Sequence, residues 1–533
     1  SRVAASPVPL AHTALPRGAH MPLPNGLVGS SLTVTVAAAG GLVAGLALAR
    51  GVQAGAERKR KRDEEAAHER AKSIGQGLVP IFVMMPLDTI TEDGSAVSDL
   101  VTRKAWLQGL YDSGVTGVMV DVWWGTCEPQ PGQYRWAGYL ELCKILKEIG
   151  LKLQAVMSFH QCGGNVGDSV SIPLPSYVLE PAKKQNLFYK DAEGKASLDC
   201  LSLSADNKNI FASKTGGTRT ALTCYHDYMK AFAGAFSDYL GTTIIEIQVG
   251  MGPCGELRYP SYQLSQGWDY PGTGLIMAHD DGMKAMLKQA AAKEGKAEWG
   301  EVPAGAPKNT CGGPDDAPLF AAKPASPKDE AFRSGHGKFF LHWYRQTLLE
   351  HGEAVLKEAV KAFPVVKGPS GELAYSVKVS GIHWHSMHPS RAAETCAGYA
   401  PNPDMGCGAY MCIANMLRRV ADESKKPVFF NFTCLEMANV NEGPGCVKAN
   451  SAPEDLIAEV RRACITAGVP LCGENALQFG LPESPHNLKQ IYTQLRGWSA
   501  GVQRMHSVTL LRLDDGFARP SSLATLKRWI QTL

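Results

Sequence analysis

Two glutamates follow apolar runs of the sequence at points where a carboxylate could act on a substrate. Glu256 lies in GPCGELRYPSY (252–262), directly after the β-branched run TTIIEIQVGM (242–251), and Glu474 lies near the end of VPLCGEN (469–475). Two carboxyl groups on different strands, one protonated and one ionised, are the groups that hydrolyse glycosidic bonds. The ordinary alternative is a loop carboxylate paired with Arg258, and the stretch around Glu256 does not by itself decide between the two.

Other polar side chains stand at the ends of further apolar runs and extend this pattern. Aromatic residues accompany them, and one of Trp123 and Trp124 is expected to face a sugar because successive strand residues point to opposite sides. No His, Cys and Asp set has the spacing of metal ligands and no Ser stands on a nucleophile elbow, so no metal or cofactor is predicted. The polar residues at run ends are Asp121, His160, Lys378, His383, Thr433, Glu436 and Arg512.

The chain must bring these run ends together, and its apolar pattern indicates how. Apolar runs of strand length alternate with helical stretches such as YLELCKILKEIG (139–150) and HDYMKAFAGAFSDYL (226–240). Buried strands separated by helices are typical of a parallel sheet, and eight of them predict an α/β fold of the (β/α)8 TIM-barrel type. A doubly wound sheet is the alternative, but no glycine-rich phosphate loop follows the first strand. The runs are 78–87, 116–124, 152–160, 243–251, 375–384, 427–436, 469–475 and 507–513.

Long connections follow three of the predicted strands. They lie on the side of the barrel where the polar residues at the strand ends are expected to meet. They cover 160–225, 252–335 and 384–415, and long loops at a barrel mouth usually build a substrate cleft. The first contains QCGGNVGDS (161–169), which holds Asp168 among three glycines. This segment is expected to be a lid, and the alternative is a plain flexible loop.

The overall composition indicates a globular protein with reduced thiols. Of the 533 residues, 44% are hydrophobic and 20% are charged, which predicts a well-packed core. The net charge of +3 is too small to indicate nucleic acid as a partner. The 14 cysteines include no CxxC pair and no framework spacing, which favours reduced thiols over secreted disulfides.

Residues 1–76 are predicted to be a leader, and residues 77–533 to be a single catalytic domain. No acidic residue precedes Glu57, and basic and hydroxyl residues with few acids are typical of a transit peptide, which indicates a chloroplast or another plastid. In one alternative, the uncharged stretch 27–49 followed by RKRKR anchors the protein in a membrane, facing the cytoplasm. In another, the leader is a disordered extension of a cytoplasmic protein.

Six stretches carry a more specific pattern. They are, in this order, VDVWWG (120–125), FHQCGGNVGD (159–168), GPCGELRYPSY (252–262), KVSGIHW (378–384), NFTCLEM (431–437) and GENAL (473–477). Together they resemble plant-type β-amylases, glycoside hydrolase family 14, over about residues 77–533. The resemblance implies a (β/α)8 barrel that releases maltose with inversion from the non-reducing ends of α-1,4-glucans such as starch, amylose and maltodextrins.

The same resemblance implies roles for individual residues. Glu256 would be the general acid and Glu474 the general base, and no cofactor would be needed. The loop with Asp168 would be the lid, and the segment around Thr433 an inner loop that shifts with ligand. The residues that would bind or position sugar are Asp121, His160, Asp168, Lys378, His383, Thr433, Asn475, Ala476 and Arg512.

Three segments depart from the family pattern, namely 204–222, 263–284 and 385–394. They are expected to alter subsite affinity and chain-length preference, and His385 and His388 in the third are expected to be solvated. Both proposed catalytic carboxylates are unaffected. The alternatives are a catalytically weak barrel that binds a glucan or maltose for regulation, and a different glycosidase. The sequence gives no indication of the oligomeric state.

Overall fold

Eight short, buried strands lie at the centre of the structure, a computed structural model that describes residues 79–323, 331–368, 371–401, 408–439, 444–478, 485–497 and 503–533. Strands that follow one another in the chain pair in parallel, and the last pairs with the first, which closes a barrel. Both faces are covered, which explains the near-continuous apolar runs. The predicted (β/α)8 barrel is confirmed, and the doubly wound sheet is wrong. The strands are β1 Ile81–Met84, β2 Gly117–Trp123, β3 Lys152–Ser158, β4 Ile244–Val249, β5 Ala374–Val379, β6 Val428–Phe432, β7 Leu471–Glu474 and β8 Val508–Leu510.

Helices follow the barrel strands and cover the outside of the barrel. The predicted helices at 139–150 and 226–240 are present, and the second begins earlier than expected because Thr220 Oγ1 accepts a hydrogen bond from Thr223 N and caps it. The helices are α1 Leu100–Asp112, α2 Trp124–Cys127, α3 Ala137–Ile149, α4 Ser176–Lys184, α5 Ala221–Ala235, α6 Asp281–Lys293, α7 Gly335–Ala362, α8 Ala392–Cys396, α9 Ala409–Ser424, α10 Pro444–Lys448, α11 Pro453–Ala467, α12 Pro485–Arg496 and α13 Pro520–Ile530.

The long connections carry structure of their own. The first contains two small hairpins, one of which pairs Phe188–Lys190 with Ala196–Leu201. The third connection, residues 384–415, is fixed to α11 by Arg391. The Arg391 guanidinium pairs with Glu394 at 2.6 Å and with Glu459 of α11 at 2.8 Å. Because Glu394 is fully buried, this charge pairing fixes the divergent segment 385–394 in place.

The predicted leader, residues 1–76, lies outside the described residues, and so does its uncharged stretch 27–49. Within the described ranges, no helix combines the length and the hydropathy that crossing a bilayer requires. The cysteines of these ranges are all free thiols. The boundary between leader and catalytic domain stays a prediction.

One layer of the barrel interior is polar, although branched apolar residues are the usual filling of such barrels. Glu246 of β4 accepts hydrogen bonds from Gln154 Nε2 at 2.9 Å and from Ser376 Oγ at 2.6 Å. Thr509 Oγ1 in turn donates to Gln154 Oε1 at 2.9 Å. Burial raises the pKa of Glu246, although its hydrogen bonds act in the opposite direction. These four side chains therefore form one hydrogen-bonded polar layer inside the barrel, next to apolar clusters such as Met84, Met119 and Val156.

A buried ion pair fixes the turn that leads to Glu256. His351 Nδ1 donates to Asp206 Oδ2 at 2.7 Å, and His351 Nε2 donates to the Met251 carbonyl oxygen at 2.9 Å. Two acceptors require two N–H groups, so the imidazole is protonated. Burial opposes this charge, but the charge of Asp206 and the two hydrogen bonds outweigh burial and raise the pKa of His351.

Replacing His351 with Gln is expected to destabilise the protein more at acidic than at alkaline pH. Because the pKa of His351 is higher in the folded protein, its stabilisation is fully present below the unfolded pKa of about 6.5 and is lost as pH rises through the folded pKa. The loss should be about 1–3 kcal/mol at about pH 5.5, seen by thermal unfolding at several pH values. His506→Gln is the control, because burial lowers the pKa of His506 and reverses the sign. An equal loss at every pH would contradict the buried charge.

Candidate active site

A cavity of about 520 Å³ lies at the carboxyl ends of the barrel strands and contains both glutamates. The polar side chains at the ends of the predicted strands therefore meet at one mouth of the barrel, as they do in barrel enzymes. Within the described residues, no group of three or more His, Cys, Asp or Glu side chains is arranged to hold a metal ion. Asn475 is the one predicted site residue that does not line the cavity. Those that do are Asp121, His160, Asp168, Glu256, Lys378, His383, Thr433, Glu474, Ala476 and Arg512.

A tight turn after β4 presents Glu256 to the cavity. A Cβ at Gly252 would lie 2.6 Å from the Arg258 carbonyl oxygen and 2.7 Å from that of Glu256, so only glycine fits there. Cys254 takes a left-handed conformation with φ 55°. Arg258 Nε donates to Glu256 Oε2 at 2.6 Å, and both side chains are buried. The pairing with Arg258 considered from the sequence is therefore present, but inside the cavity rather than on a surface loop.

Lys378 of β5 contacts both glutamates. Its carbonyl oxygen accepts a hydrogen bond from Leu257 N at 2.9 Å, and its backbone bridges to that of Glu256. Its amine donates to Glu474 Oε1 at 3.1 Å. Burial opposes the charge on this amine, but Glu474, Asp121 and Glu256 outweigh burial and raise the pKa of Lys378. Lys378 is therefore a cation held on a rigid strand.

Glu474 ends β7 and is almost fully buried. Burial raises the pKa of its carboxyl group and the charge of Glu256 adds to this, whereas Lys378 and Arg512 lower it. Its Oε2 has no hydrogen-bond partner among the residues that the structure describes. A carboxylate with a raised pKa and one oxygen without a protein partner is suited to take a proton from water.

Two buried imidazoles of the cavity are neutral. Burial lowers the pKa of His160 to about 3 and that of His383 to about 4. His383 Nδ1 lies 2.6 Å from Ser451 Oγ, and His160 packs edge-on against Trp123 with ring centroids 5.2 Å apart. Neutral imidazoles both donate and accept hydrogen bonds, which suits sugar hydroxyls.

Asp121 and Arg512 are held by bonds that fix their orientation. Ser158 Oγ donates to Asp121 Oδ1 at 2.8 Å, and Arg512 Nη1 donates to the Met85 carbonyl oxygen at 3.0 Å. Each group keeps further hydrogen-bonding capacity for a ligand, because a carboxylate has two oxygens and a guanidinium five N–H donors.

The inner loop after β6 is tied to the loops on both sides. Thr433 Oγ1 accepts a hydrogen bond from Gly381 N at 2.7 Å. Glu436 accepts from Ala476 N at 3.0 Å and from Leu477 N at 2.8 Å. Glu436 therefore braces the segment after Glu474, which agrees with a supporting role for this glutamate.

Asn475 points its side chain at the backbone instead of the cavity. Its Nδ2 donates to the Leu477 carbonyl oxygen at 2.7 Å, and its Oδ1 accepts from Leu511 N at 2.8 Å. These bonds join the segments after β7 and β8. The amide is thus occupied by the protein itself, a placement that the sequence pattern did not indicate.

Asp168 closes the predicted lid segment, residues 161–169, on itself. Its Oδ2 accepts hydrogen bonds from the backbone of Gly163 at 2.8 Å and of Gly164 and Asn165 at 2.9 Å. Val166, at the tip, is half exposed and lines the cavity. The carboxylate therefore gives a glycine-rich loop one defined shape.

A cluster of four aromatic residues lines the cavity, and two of them lie outside the six stretches on which the family resemblance rests. Tyr262, Trp268, Tyr270 and Trp384 contact one another with ring centroids 5.3 to 6.3 Å apart. The indole nitrogens of Trp268 and Trp384 both donate to the Gly272 carbonyl oxygen, at 2.8 and 2.9 Å. Trp268 and Tyr270 come from the divergent segment 263–284, where the available signal was two aromatics beside Pro and Gly.

Two expectations about neighbouring side chains have opposite outcomes. Trp123, the last residue of β2, lines the cavity, whereas Trp124 begins α2 and is buried in the core, so the two rings do face different sides although strand alternation is not the reason. His385 and His388, expected to be solvated, are instead half-buried. His385 Nε2 lies 2.7 Å from the Pro271 carbonyl oxygen, which joins the two divergent segments.

Replacing Lys378 with Met is expected to lower activity most strongly at acidic pH. Lys378 lowers the pKa of Glu474, so its removal raises that pKa further and leaves less ionised carboxylate. The acidic limb of the pH profile of kcat/KM should move to higher pH. The value of kcat/KM should fall about 30-fold at about pH 5.5 and partly recover above about pH 7.5. Lys378→Arg keeps the charge and should keep the acid limb. If the acidic limb of this pH profile stays in place in the Met variant, Lys378 does not set the ionisation of Glu474.

Comparison with known proteins gives a consistent picture. The sequence model of the family described as "Glycosyl hydrolase family 14" matches residues 82–531. "Beta-amylase 2, chloroplastic" of Oryza sativa subsp. japonica is 42% identical over 457 residues, which cover 85% of this chain and 76% of that protein. "Beta-amylase 1, chloroplastic" of Arabidopsis thaliana is 45% identical over 409 residues, 76% of this chain and 66% of that protein. The catalytic domain of a beta-amylase from Paenibacillus polymyxa superimposes with a TM-score of 0.65 at 28% identity, covering 85% of this chain and 98% of that domain.

Proposed function

The chain belongs to glycosyl hydrolase family 14, and from this we propose that Glu256 is the general acid and Glu474 the general base of its reaction. The activity is that of a beta-amylase, a glycoside hydrolase that acts on starch. One observation supports these two glutamates as the reacting pair, whereas their separate roles follow from the family resemblance. Two buried carboxyl groups line one cavity, and each is paired with its own buried cation, Arg258 for Glu256 and Lys378 for Glu474.

In this mechanism Glu256 gives its proton to the oxygen of the scissile glycosidic bond as the bond to the anomeric carbon breaks. Glu474 takes a proton from the water that attacks the same carbon from the opposite face. Because water attacks directly, the configuration at the anomeric carbon inverts. Turnover leaves Glu256 ionised and Glu474 protonated, and exchange with solvent restores both.

The two cations act at different stages. Lys378 favours the ionised form of Glu474 before the reaction, which is the form that a base requires. Arg258, 2.6 Å from Glu256, stabilises the carboxylate that forms as the proton leaves. The bond from Arg258 therefore strengthens towards the transition state, where stabilisation raises kcat.

The remaining cavity residues bind sugar in this proposal. Asp121 and Arg512 supply charged partners for hydroxyl groups, and the neutral imidazoles of His160 and His383 supply donors and acceptors. Thr433, Ala476 and Lys378 complete the set, and Asp168 closes the lid over the ligand. Asn475 acts indirectly, by holding the backbone around Glu474.

The substrates are starch, amylose and maltodextrins, cut from the non-reducing end to release maltose in the β configuration. Digestion of maltotetraose followed by proton NMR tests this directly. Maltose should be the product, and the new reducing end should appear as the β anomer before mutarotation. An initial α anomer would contradict water activation by Glu474, and glucose or maltotriose would contradict release of maltose units. An absence of hydrolysis would contradict the assigned roles altogether.

A plastid is the compartment that fits best. Relatives from rice and Arabidopsis carry the word chloroplastic in their names, and the early residues have the composition of a transit peptide. A fluorescent protein fused behind residues 1–76 should enter isolated chloroplasts and lose the leader. Retention of the fusion at a membrane would favour the uncharged stretch 27–49 as an anchor instead.

A further inference from the structure

Ser451 is a buried polar residue of the cavity that does not belong to the predicted site residues. Its side chain lines the cavity and the residue is 2% exposed. It follows α10, Pro444–Lys448, in a part of the chain outside the six stretches on which the family resemblance rests. Its Oγ lies 2.6 Å from Nδ1 of His383. The contact therefore joins an unassigned side chain to one that is proposed to bind sugar.

The position of the His383 ring against Ser451 is fixed from several sides. The backbone N–H of Ala452, the residue after Ser451, donates to the His383 carbonyl oxygen at 3.1 Å. The ring of Trp384 stands edge-on to the imidazole with centroids 5.5 Å apart, and the ring of Tyr270 lies 6.1 Å away. The hydroxyl group and the imidazole are therefore held together by the wall of the cavity and do not meet by chance.

The length of the contact identifies its donor. Hydrogen bonds from N–H groups to oxygen measure about 2.7–3.2 Å, whereas hydroxyl donors make bonds as short as about 2.5 Å. Burial lowers the pKa of His383 to about 4, so the imidazole is neutral and carries a single N–H. At 2.6 Å the hydroxyl of Ser451 is the donor and Nδ1 the acceptor. The hydrogen of the imidazole consequently stays on Nε2.

A fixed tautomer gives His383 a defined role towards a ligand. With Nδ1 occupied by Ser451, the group that remains for the cavity is Nε2–H, which is a donor. Without the hydroxyl, the hydrogen could occupy either nitrogen, and part of the enzyme would present an acceptor in the same place. A sugar oxygen that accepts from Nε2 would then lose its partner in that fraction of the molecules.

We propose that Ser451 is a positioning residue for substrate binding, which donates to Nδ1 of His383 and so keeps Nε2–H as a fixed donor to an oxygen of the glucan. The inference rests on the proposed function, in which His383 binds sugar. His383 takes no part in the proton transfers of Glu256 and Glu474. Its bond to the glucan is therefore made equally in the substrate complex and in the transition state, and its loss raises KM without lowering kcat.

Ser451→Ala tests the kinetic consequence in the full chain. The KM for maltotetraose should rise about fivefold or more, with kcat within about twofold of the unaltered enzyme. Ser451→Thr keeps the hydroxyl and should bring KM back to within about twofold. The matched control is Ser386→Ala, because Ser386 Oγ donates to the backbone oxygen of the same His383 at 2.8 Å but lies outside the cavity lining. It should change neither constant.

Three kinetic results would overturn the proposal. They are an unchanged KM in Ser451→Ala, a loss confined to kcat, and an equally high KM in a Ser451→Thr variant whose thermal unfolding is normal. A merely structural role predicts the second result, because a poorly folded fraction lowers the number of active molecules and not their affinity for substrate.

NMR spectra of the unaltered protein, isotopically labelled in its histidine nitrogens, test the tautomer without any change at Ser451. The signals of His383 are identified by their absence from His383→Gln. They should show a hydrogen on Nε2 and none on Nδ1, and a hydrogen on Nδ1 would overturn the proposal. Added maltose should shift the Nε2 signal, and an unmoved signal would refute the contact with the glucan. If the unaltered enzyme failed to hydrolyse maltotetraose, the proposed function would be refuted, whereas the tautomer of the free protein would still be decided.

Discussion

Glu256→Gln and Glu474→Gln should each lower kcat on maltotetraose by about 10³-fold or more. Glutamine keeps the size of both side chains, and an amide oxygen can still accept from Arg258 or Lys378, so the fold should remain intact. Glutamine can neither give up the proton that the leaving oxygen needs nor take one from water. The loss should therefore fall on kcat, with little change in KM.

A substrate with a good leaving group distinguishes the two roles. Fluoride leaves from α-maltosyl fluoride with little help from an acid, so Glu256→Gln should recover much of its activity with this substrate. Glu474→Gln should not recover, because attack by water still needs the base. Recovery of both variants, or of Glu474→Gln alone, would require the roles to be reassigned.

Glu246→Gln is the matched control for this pair. It lies deeper in the same barrel, is equally buried, and accepts hydrogen bonds from Gln154 and Ser376. It does not line the cavity. Its activity should stay within about tenfold of the unaltered enzyme. A loss as large as that of Glu474→Gln would indicate that any change to the buried polar layer disables the barrel.

Asp168→Asn should lower kcat by about 10²–10³-fold, although Asp168 neither gives nor takes a proton in the mechanism. Each hydrogen bond to a charged acceptor contributes roughly 1.5–3 kcal/mol, and Asp168 accepts three from the lid backbone in addition to those expected from sugar hydroxyls. Asn keeps one acceptor oxygen but loses the charge. If the closed lid contacts the sugar mainly in the transition state, kcat should fall more than KM rises.

The kinetic test of the lid needs a control on the same loop. Ser169→Ala changes an exposed neighbour outside the cavity lining and should have little effect. A higher KM with unchanged kcat in Asp168→Asn would mean that Asp168 binds substrate and transition state equally. If kcat and KM of Asp168→Asn are both unchanged, residues 161–169 are a plain flexible loop and not a lid.

The positions of the strands and of Glu256 and Glu474 could be predicted from the sequence because both depend on local pattern. A parallel strand that is buried on both faces has an apolar sequence whichever elements pack against it. The carboxyl ends of such strands meet at one mouth when a barrel closes. Glu256 and Glu474 are therefore brought to one cavity by the order of the elements alone. The helices were predicted less accurately at their starts, since a cap such as Thr220 decides the first residue.

Arg258 lies two residues after Glu256, but Lys378 reaches Glu474 from another strand, and no local pattern contains such contacts between distant segments. Asp199, on the hairpin strand Ala196–Leu201, meets Asn165 only because this hairpin folds back against residues 161–169. The side chain of Asn475 turns to the backbone of Leu511, which follows another strand. His385 and Trp268 likewise take their places through contacts between the two divergent segments. Such arrangements follow from tertiary packing, and a sequence pattern can suggest the residue type without its direction.

The double contact made by Lys378 has a consequence for how the protein can change. Its backbone is bonded to the turn that carries Glu256 and its amine to Glu474, so one residue of β5 links the positions of the two carboxyl groups. The segments 263–284 and 385–394 join each other through His385 and Pro271 instead. Sequence changes in these two segments can therefore alter which glucan chains the cavity accepts. The spacing between the carboxyl groups of Glu256 and Glu474 should stay unchanged. A single-residue insertion in β5 would shift that spacing at once.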